Sequence, residues 1–421
     1  MRTSISQTAE PDIELAERLF ADLGRQTRKG RGIERDSYGS GEQAAHDLMR
    51  QCAERLDLEV MVDAIGNLMM TLPGADRGAP RIVVGSHLDS VPQGGNFDGA
   101  AGVVAGLAVL AGLRREQAPP PCDVTVMGIR AEESAWFDIS YLGSGGAFGL
   151  LDPACLAIRR SDNGRTLEET LLGLGLDPSA IRERRRLLDP SQVRAYLELH
   201  IEQGPTLMER GLPAGIVTGI RGCKRFRNAR CLGRYDHSGG TERGYRSDAV
   251  AATVALLSHL ESVWLAQERA GADMVFTAGE LYTDPMMHGP SKVSGETRFV
   301  LDIRSVSQAV MEAVAAEARE TAVRLEHDYR VRFELGQTSD SPPAVMDARI
   351  RGALKSLLDE PFEMASGAGH DAATFAAVGI PSGMIFVRND KGSHNADESM
   401  QIEDFAVGAR ALLDLILSFP F

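Results

Sequence analysis

The chain has 421 residues, of which 43% are hydrophobic, so it can bury a core but is long for one compact domain; two domains are expected. Its 45 Lys and Arg against 59 Asp and Glu give a net charge of −14 at pH 7, which argues against nucleic-acid and membrane partners. Five widely spaced cysteines without a CxxC pair argue against a disulfide framework and a cysteine zinc site. Reduced thiols and an N-terminal stretch without a signal-peptide pattern predict a cytoplasmic protein, and no apolar run is expected to be long enough to span a bilayer.

The first half of the chain alternates between predicted helices and strands. Apolar residues at helical spacing predict helices over Asp12–Gly24, Gly41–Leu56 and Gly99–Leu113. Short apolar runs predict the strands Leu58–Val62, Gly66–Leu72, Arg81–Ser86, Asp123–Ile129 and Leu197–Ile201. This order predicts the α/β class, with a central mixed sheet and helices on both faces. Ligand sites in such sheets gather at the carboxyl ends of the strands.

The character of the chain changes near Gly211–Gly215 and again near His327. Between these points the predicted order is strand, helix, strand, helix, which describes a compact inserted module. We therefore predict a two-part catalytic domain, residues 1–213 and 328–421, and an inserted α+β lid and dimerisation domain, residues 214–327.

Several acids and histidines follow predicted strands. His87 ends one strand, and Asp89, two residues later, can accept a hydrogen bond from its ring and so fix its tautomer for metal binding. Asp98 precedes a helix, and its two oxygens can bridge two cations. The adjacent acids Glu132 and Glu133 follow another strand, and such a pair is unfavourable unless positive charge neutralises it. One acid can bind a metal while the other acts as a general base on water.

Six segments occur in one order along the chain. They are GSHLDSVPQGGNFDGAAGV, RAEES, ELHIEQG, HSGGTERGYRSDA, SGAGHDA and KGSHNADE. Together they resemble the M20 metallopeptidase-like amidohydrolases, in the branch of N-carbamoyl-L-amino-acid hydrolases, β-ureidopropionase and allantoate amidohydrolase. The similarity runs from about Gly32 to the C-terminus.

The resemblance implies a dinuclear metal site and a general base. The matching ligands are His87 and His200 for one ion, Glu133 and His394 for the other, and Asp98 as the bridge. A set of nitrogen and oxygen ligands suits Zn²⁺ or Mn²⁺, and also Co²⁺ or Ni²⁺. Glu132 matches the general base of the family.

The resemblance also implies residues that meet a small carboxylate substrate. His237 matches the lid histidine that stabilises the oxyanion, often across a dimer, and Arg304 matches the arginine that clamps the substrate carboxylate. The further substrate positions are Gln203, Ser291, Gly367 and His370. Asp89 and Asp371 match residues that support the metal ligands. Family members commonly form homodimers through the lid.

Two segments depart from the pattern of the branch. HSGGTER stands where HAGTTPM is usual, so Glu242 and Arg243 replace Pro and Met, while Arg246 keeps its spacing from His237. Ser291 stands where an Asn usually contacts substrate. The metal machinery is therefore complete and the substrate-facing lid is altered.

The preferred hypothesis is hydrolysis of a C–N bond in an N-carbamoyl amino acid. The alternative is the same mechanism on another amide- or amine-bearing carboxylate, as in an aminoacylase, a dipeptidase or a hydrolytic deaminase. A non-catalytic binding protein on this scaffold is a third reading, and the intact Glu132 and ligand positions weigh against it.

Overall fold

The structure is a computed structural model that describes residues 9–419. The chain divides into two compact units. The first comprises Met1–Thr218 and Val345–Phe421, and the second comprises Gly219–Ala344.

The structure contains the predicted strands and helices together with further elements that the sequence did not predict. The strands are β1 Arg28–Lys29, β2 Gly32–Ile33, β3 Glu59–Val62, β4 Leu68–Leu72, β5 Arg81–His87, β6 Val124–Ile129, β7 Val193–Ile201, β8 Ala214–Ile220, β9 Gly222–Leu232, β10 Asp236–His237, β11 Val275–Thr283, β12 Lys292–Val293, β13 Glu296–Ser305, β14 Arg332–Glu334, β15 Thr338–Ser341, β16 Ala344–Val345, β17 Glu363–Ser366 and β18 Ser382–Val387. The helices are α1 Ile13–Thr27, α2 Ser40–Arg55, α3 Ala100–Arg115, α4 Leu142–Ala147, α5 Leu167–Gly173, α6 Ser179–Arg182, α7 Thr206–Arg210, α8 Ala249–Arg269, α9 Gln308–Tyr329, α10 Ala348–Lys355, α11 Asp371–Ala377 and α12 Ile402–Leu417.

The first unit is built on a mixed sheet of nine strands. Their order is β16-β8-β18-β7-β5-β6-β4-β3, and β17 pairs with β8. The neighbours β18, β7, β5 and β6 run parallel, while β8, β4 and β3 are antiparallel to their partners. The predicted α/β class with a central mixed sheet is confirmed.

Helices cover both faces of this sheet because side chains alternate along each strand. On β7, Leu197 and Leu199 belong to the main apolar core, against which α3 and α12 pack. Tyr196 lies on the opposite face and stacks on Phe375 of α11, with ring centroids 3.7 Å apart. His200 shares the face of Tyr196, so the strand directs it away from the main core.

The second unit is an antiparallel sheet with two long helices. Its order is β11-β13-β9-β14, and β15 also pairs with β9. Apolar residues of the strands, such as Phe226, Leu301 and Ile303, form a core with α8 and α9. A separate pair of short strands, β10 and β12, belongs to the same unit.

The inserted unit ends later than the sequence predicts. The predicted boundary lies at residue 327, yet β14 and β15 both pair with β9 and therefore belong to the second unit. The unit boundary consequently falls at Ala344, and its start falls at Gly219 instead of 214. The strands that extend the unit are short and polar, so hydrophobic periodicity does not reveal them.

One helix departs from the expectation that no apolar run is long enough to span a bilayer. By length and composition alone α8 could span a bilayer. Of its apolar stretch, 28% is buried within the chain. Helices of soluble proteins pass the same test, so this observation assigns no membrane role.

His46 of α2 is a buried histidine without a hydrogen-bond partner in the described part of the chain. It is 2% exposed, and both ring nitrogens are unpaired. Burial, together with the charges of Arg130 and Arg50, holds the pKa of His46 well below its usual value. Below about pH 6.5, His46 is therefore protonated in the unfolded chain but stays neutral in the folded chain. Because the unfolded state binds this extra proton, His46 makes the free energy of unfolding fall as pH falls.

Replacement of His46 should reduce this pH dependence. Below pH 6.5 we expect the free energy of unfolding of His46→Leu to fall less steeply than that of wild type, by about 1.4 kcal/mol per pH unit. Urea unfolding at several pH values between 5 and 7.5 measures both slopes. His327→Leu is the control, because the His327 side chain is 94% exposed. Identical slopes for wild type and His46→Leu would contradict the account.

Candidate active site

Three parallel strands deliver four of the predicted site residues to one edge of the nine-stranded sheet. In the order β7-β5-β6, His87 is the last residue of β5, and His200 is the penultimate residue of β7. Glu132 and Glu133 follow the end of β6. Because carboxyl ends of parallel strands lie at the same edge, residues far apart in sequence meet there.

Asp98 reaches the same place through a tight turn before α3. The next residue, Gly99, has φ +66°, and a Cβ there would lie 2.4 Å from the ring of His87. Only glycine fits this left-handed turn beside the imidazole. The turn places the Asp98 carboxylate, which is 3% exposed, between the histidines of β5 and β7.

One oxygen of Asp98 faces two imidazoles. Asp98 Oδ1 lies 3.3 Å from His200 Nε2 and 3.7 Å from His87 Nε2. The other nitrogen of each ring faces oxygen acceptors, since His200 Nδ1 lies 2.9 Å from the carbonyl of Ile201 and His87 Nδ1 lies 3.2 Å from Asp89 Oδ1. This arrangement assigns the proton to Nδ1 and leaves each Nε2 lone pair directed towards Asp98.

The other oxygen of Asp98 faces a second group. Asp98 Oδ2 lies 3.2 Å from His394 Nε2, which is also 3.2 Å from Glu133 Oε1. His394 lies in the loop before α12, in a left-handed conformation with φ +59°, and its side chain is half exposed. The structure thus brings the five predicted ligands together as two groups that share Asp98.

Asp89 is fully buried and joins the elements of this site. Besides its contact with His87, its carboxylate accepts hydrogen bonds from the backbone amides of Glu132 and Glu133, at 3.1 and 3.2 Å. It also accepts one from the hydroxyl of Ser37, at 2.6 Å. Asp89 therefore orients one imidazole and both acids at once, a wider role than the predicted support of His87.

Glu398 has an equivalent role on the other side, and sequence reasoning did not assign it. Its carboxylate accepts hydrogen bonds from the amides of Phe97 and Asp98, at 2.9 and 3.2 Å. Ser393 Oγ lies 2.6 Å from Glu398 Oε2 and 2.8 Å from Asp98 Oδ2. Glu398 thereby ties the loop of Asp98 to the loop of His394. The signal was its place four residues after His394 in the KGSHNADE segment.

Glu198 is a second buried acid that sequence reasoning did not single out. It stands two residues before His200 on the same strand face, and it could form a third ligand group with His200 and His370. Its oxygens, however, already accept hydrogen bonds from Ser86 Oγ and the amide of Ala372, at 2.8 and 2.9 Å. We therefore assign Glu198 to holding strands and helix in register.

His370 and Asp371 lie behind the ligands. The ring of His370 is buried 4.4 Å from that of His200, and Asp371 accepts a 2.6 Å hydrogen bond from Ser144 Oγ. The imidazole of His370 is not among the groups that line the cavity at the site. Its placement is that of a support for His200 and does not favour the predicted substrate contact.

A cavity of about 140 Å³ opens at these groups. Its lining residues are His87, Asp98, Glu132, Glu133, Ser140, Tyr141, His200, Gln203, Ala368, Gly369 and His394. Gln203 donates a 3.0 Å hydrogen bond from Nε2 to Asp98 Oδ2, so it contacts the bridging carboxylate as well as the cavity. Gly367 is exposed in the same loop as Ala368 and Gly369.

The protonation of the site reflects crowded negative charge. Burial alone would raise the pKa of Asp98, yet the neighbouring imidazoles of His200, His394 and His87 hold that pKa well below the usual range. Hydrogen bonds to Asp98 and Glu133 raise the pKa of His394 to about 10. Burial raises the pKa of Glu132 well above its usual value, and Glu133 and Asp371 add to this rise against the opposing effect of His87.

The second unit brings His237 and Ser291 together. His237 of β10 pairs with Lys292 of β12, and the amide of Ser238 donates to the carbonyl of Ser291 at 2.9 Å. His237 Nδ1 accepts hydrogen bonds from the amides of Gly239 and Gly240, at 3.2 and 2.9 Å. The proton therefore resides on Nε2 of this exposed imidazole, which makes it a hydrogen-bond donor.

Arg304 lies on β13 and forms an ion pair within its own strand. Its Nη2 lies 3.0 Å from Asp302 Oδ2, and Arg225 Nη2 lies 2.6 Å from the same oxygen. One carboxylate thus meets two guanidinium groups.

The donor set fits divalent cations. Asp98 Oδ1 is buried without a hydrogen-bond partner in the described chain, which costs free energy unless a cation meets it. Two imidazoles and this oxygen form one ligand group, and an imidazole with two carboxylates forms the other. Nitrogen and oxygen donors of this kind suit Zn²⁺, Mn²⁺, Co²⁺ and Ni²⁺.

Comparison with known proteins agrees with this geometry. The model of peptidase family M20/M25/M40 matches residues 83–418. The N-carbamoyl-L-amino acid amidohydrolase of Geobacillus stearothermophilus is 35% identical over 400 residues, covering 93% of this chain and 94% of that protein. The allantoate amidohydrolase of Escherichia coli (strain K12) is 32% identical, covering 84% of this chain and 85% of that protein.

A solved structure extends the likeness to the fold. A hydantoinase/carbamoylase family amidase from Burkholderia ambifaria superposes with a TM-score of 0.87 at 27% identity, covering 99% of this chain and 98% of that one. The chain therefore belongs to peptidase family M20/M25/M40, as an amidohydrolase of its carbamoylase and allantoate branch that hydrolyses non-peptide C–N bonds.

Proposed function

We propose that this protein hydrolyses N-carbamoyl amino acids, with two divalent cations held by His87, Asp98, Glu133, His200 and His394. One observation carries the proposal: the two oxygens of the buried Asp98 face two separate ligand groups, and Glu132 lines the same cavity. Several relatives named for this activity support the choice of substrate class.

Glu132 is the proposed general base. Its carboxylate lines the cavity beside Glu133, where it can take a proton from attacking water and return it to the leaving nitrogen. The amides of Glu132 and Glu133 are both held by Asp89, which fixes the direction of the two side chains. Bound cations would supply the Lewis acid that polarises the scissile carbonyl and activates the water.

Two residues of the second unit are proposed to meet the substrate. His237 presents a neutral N–H that can stabilise the developing oxyanion, since its Nδ1 accepts two backbone hydrogen bonds. Arg304 is proposed to bind the substrate carboxylate with its planar guanidinium. The products would be the free amino acid and carbamate, which decomposes to carbon dioxide and ammonia.

The altered lid favours a second candidate of the same mechanism. Ser291 lies beside His237, and Glu242 and Arg243 follow in the same segment, where the branch usually has different residues. These changes would suit another amide-bearing carboxylate, as in an aminoacylase, a dipeptidase or a hydrolytic deaminase. Assay of the enzyme against a panel of both substrate classes separates the two candidates.

The metal-loaded enzyme should release ammonia from N-carbamoyl amino acids and lose this activity in Glu132→Gln. We expect kcat to fall by about 10²–10⁴-fold in the variant, because the amide cannot accept the proton. A panel of N-carbamoyl amino acids, allantoate, N-acyl amino acids and dipeptides, assayed for ammonia or free amine, tests both candidate substrate classes.

The matched control for this variant is Glu202→Gln. Glu202 is also buried, but its carboxylate accepts hydrogen bonds from the amides of Thr206 and Leu207. This control should retain activity near that of wild type. Full activity of Glu132→Gln would contradict the assignment of Glu132 as the general base. Turnover of acyl compounds alone would select the second candidate.

Metal binding should be stoichiometric and should weaken as pH falls. We expect two equivalents of Zn²⁺ per chain, and loss of both in Asp98→Ala. In the metal-free protein the raised pKa of His394, about 10, keeps its imidazole protonated at neutral pH. Cations must displace this proton, so affinity should rise by about tenfold per pH unit for each proton released.

Calorimetric titration of the metal-free protein between pH 6 and 8 measures both quantities. Asp123→Asn is the control, because Asp123 precedes β6 at the end of the strand remote from Glu133. A stoichiometry of one, or a Kd that does not change with pH, would contradict the expectation.

We further propose that the chain forms a homodimer through its second unit. The apolar helix α8 exposes Val254 and Leu265 by 54% and 46%, and the edge strand β11 exposes Leu281 by 48%. An apolar groove of about 400 Å³ lies between α8 and Phe276 of β11. An exposed apolar face beside an unpaired strand edge favours association with a second copy.

Light scattering after size-exclusion chromatography should give twice the chain mass of 45.3 kDa. Val254→Asp should shift the protein towards the monomer, because it buries a charge in the proposed interface. Leu150→Asp, at an exposed apolar residue of the first unit, should leave the dimer intact. A monomeric wild-type protein would overturn the proposal.

A further inference from the structure

Tyr141 is a large side chain in the wall of the active-site cavity and belongs to neither ligand group. It precedes α4 and lines the cavity together with Glu132, the predicted base, and Gly369 of the opposing loop. Most of the other lining groups are ligand candidates or small residues. The Tyr141 phenol is therefore the largest uncharged polar surface that a bound scissile group can meet.

The backbone of Tyr141 is held in a costly conformation. Its φ of +62° and ψ of +34° lie in the left-handed region, which a bulky residue seldom adopts. The amide of Tyr141 donates to the carbonyl of Glu132 at 3.0 Å, and the amide of Leu142 donates to that of Ala131 at 3.0 Å. These bonds fix the backbone of Tyr141 relative to that of Glu132. Backbone strain of this kind persists where the surrounding structure enforces it, and it clusters at functional sites.

The hydroxyl group of Tyr141 is fitted against the opposing loop. A Cβ added to Gly369 would lie 1.8 Å from the Tyr141 hydroxyl oxygen, so the glycine leaves room for the close approach of the phenol. No residue of the described chain forms a hydrogen bond with this hydroxyl. Burial, and the charges of Glu132 and Asp371, raise the pKa of Tyr141 well above its usual value, so the phenol stays neutral. A neutral phenol can both donate and accept a hydrogen bond.

We propose that the Tyr141 hydroxyl hydrogen-bonds the terminal amino group of a ureido substrate and thereby selects a carbamoyl group over an acyl group of the same size. The inference rests on the proposed function and refines its substrate class. In a cavity of about 140 Å³ the group attached to the scissile carbonyl must contact the wall. An amino group and a methyl group occupy nearly equal space there, so shape alone discriminates poorly. A fixed hydroxyl discriminates between the two groups much better, because the acyl analogue leaves this hydroxyl without a hydrogen-bond partner.

The test is the ratio of kcat/KM for the N-carbamoyl and N-acetyl derivatives of one amino acid. The amino acid is the one whose carbamoyl or acetyl derivative the wild type hydrolyses fastest. In Tyr141→Phe this ratio should fall by about tenfold or more, since the variant keeps the ring and removes the polar partner. A merely structural role would change both substrates alike and leave the ratio unchanged.

Tyr38→Phe is the matched control. Tyr38 is a buried tyrosine of the same unit, 2% exposed, whose hydroxyl also lacks a partner in the described chain. It is not among the residues that line the cavity. The control should keep the wild-type ratio. A ratio for Tyr141→Phe within twofold of wild type would overturn the inference while leaving the proposed function intact.

Calorimetric binding separates failure of the inference from failure of the proposed function. If the wild type hydrolyses neither derivative, the proposed function fails, and N-carbamoyl and N-acetyl compounds are titrated into metal-loaded Glu132→Ala and Glu132→Ala/Tyr141→Phe. At least tenfold weaker binding of the carbamoyl compound alone in the double variant would support the contact. Equal binding, or no binding at all, would overturn it.

Discussion

Several carboxylates lie together at one edge of the nine-stranded sheet. The rest of the site must offset the electrostatic repulsion between them. Asp89, Asp98, Glu132, Glu133 and Glu398 are all at least nine-tenths buried. The buried guanidinium of Arg35 lies nearby, yet it donates to the carbonyls of Leu88 and Asp98, at 2.7 and 3.2 Å, and forms no direct ion pair in the described chain. Buried negative charge on this scale is costly, and bound cations would relieve it.

The positions of the predicted metal ligands are fixed by neighbouring carboxylates that belong to neither ligand group. Asp89 and Glu398 are both anchored to backbone amides, which a side-chain substitution nearby cannot remove. Each of them joins two segments that are distant in the sequence. The ligands are therefore held in place before a cation or substrate arrives, and such preorganisation is what allows charged groups to act strongly in a buried site.

The proposed chemistry and the proposed selectivity depend on different parts of the chain. The ligand groups and Glu132 lie at strand ends of the first unit, where buried backbone holds them firmly. The residues proposed to face the substrate lie outside the nine-stranded sheet: Ser291 beside His237, and Tyr141 near Gly369. Loops accept substitution at little cost to the core, so a family can keep one reaction mechanism and change the molecules on which it acts.

The sequence by itself determined the α/β class, the helices α1 to α3 and the strands β3 to β7, and the residue types at the strand ends. These features are local, because hydrophobic periodicity and the residue that follows a strand are read within a short window. By contrast, the contact between the segments of His237 and Ser291 became evident only from the pairing of β10 with β12.

The tertiary structure alone decided which residues support the site and which contact its cavity. Glu398 reaches the amides of Phe97 and Asp98 from about 300 positions away, and Tyr141 meets Gly369 across two loops. The end of the second unit at Ala344 depended on the pairing of β14 and β15 with β9. Each of these contacts depends on how distant segments pack, and no local pattern of the sequence records such packing.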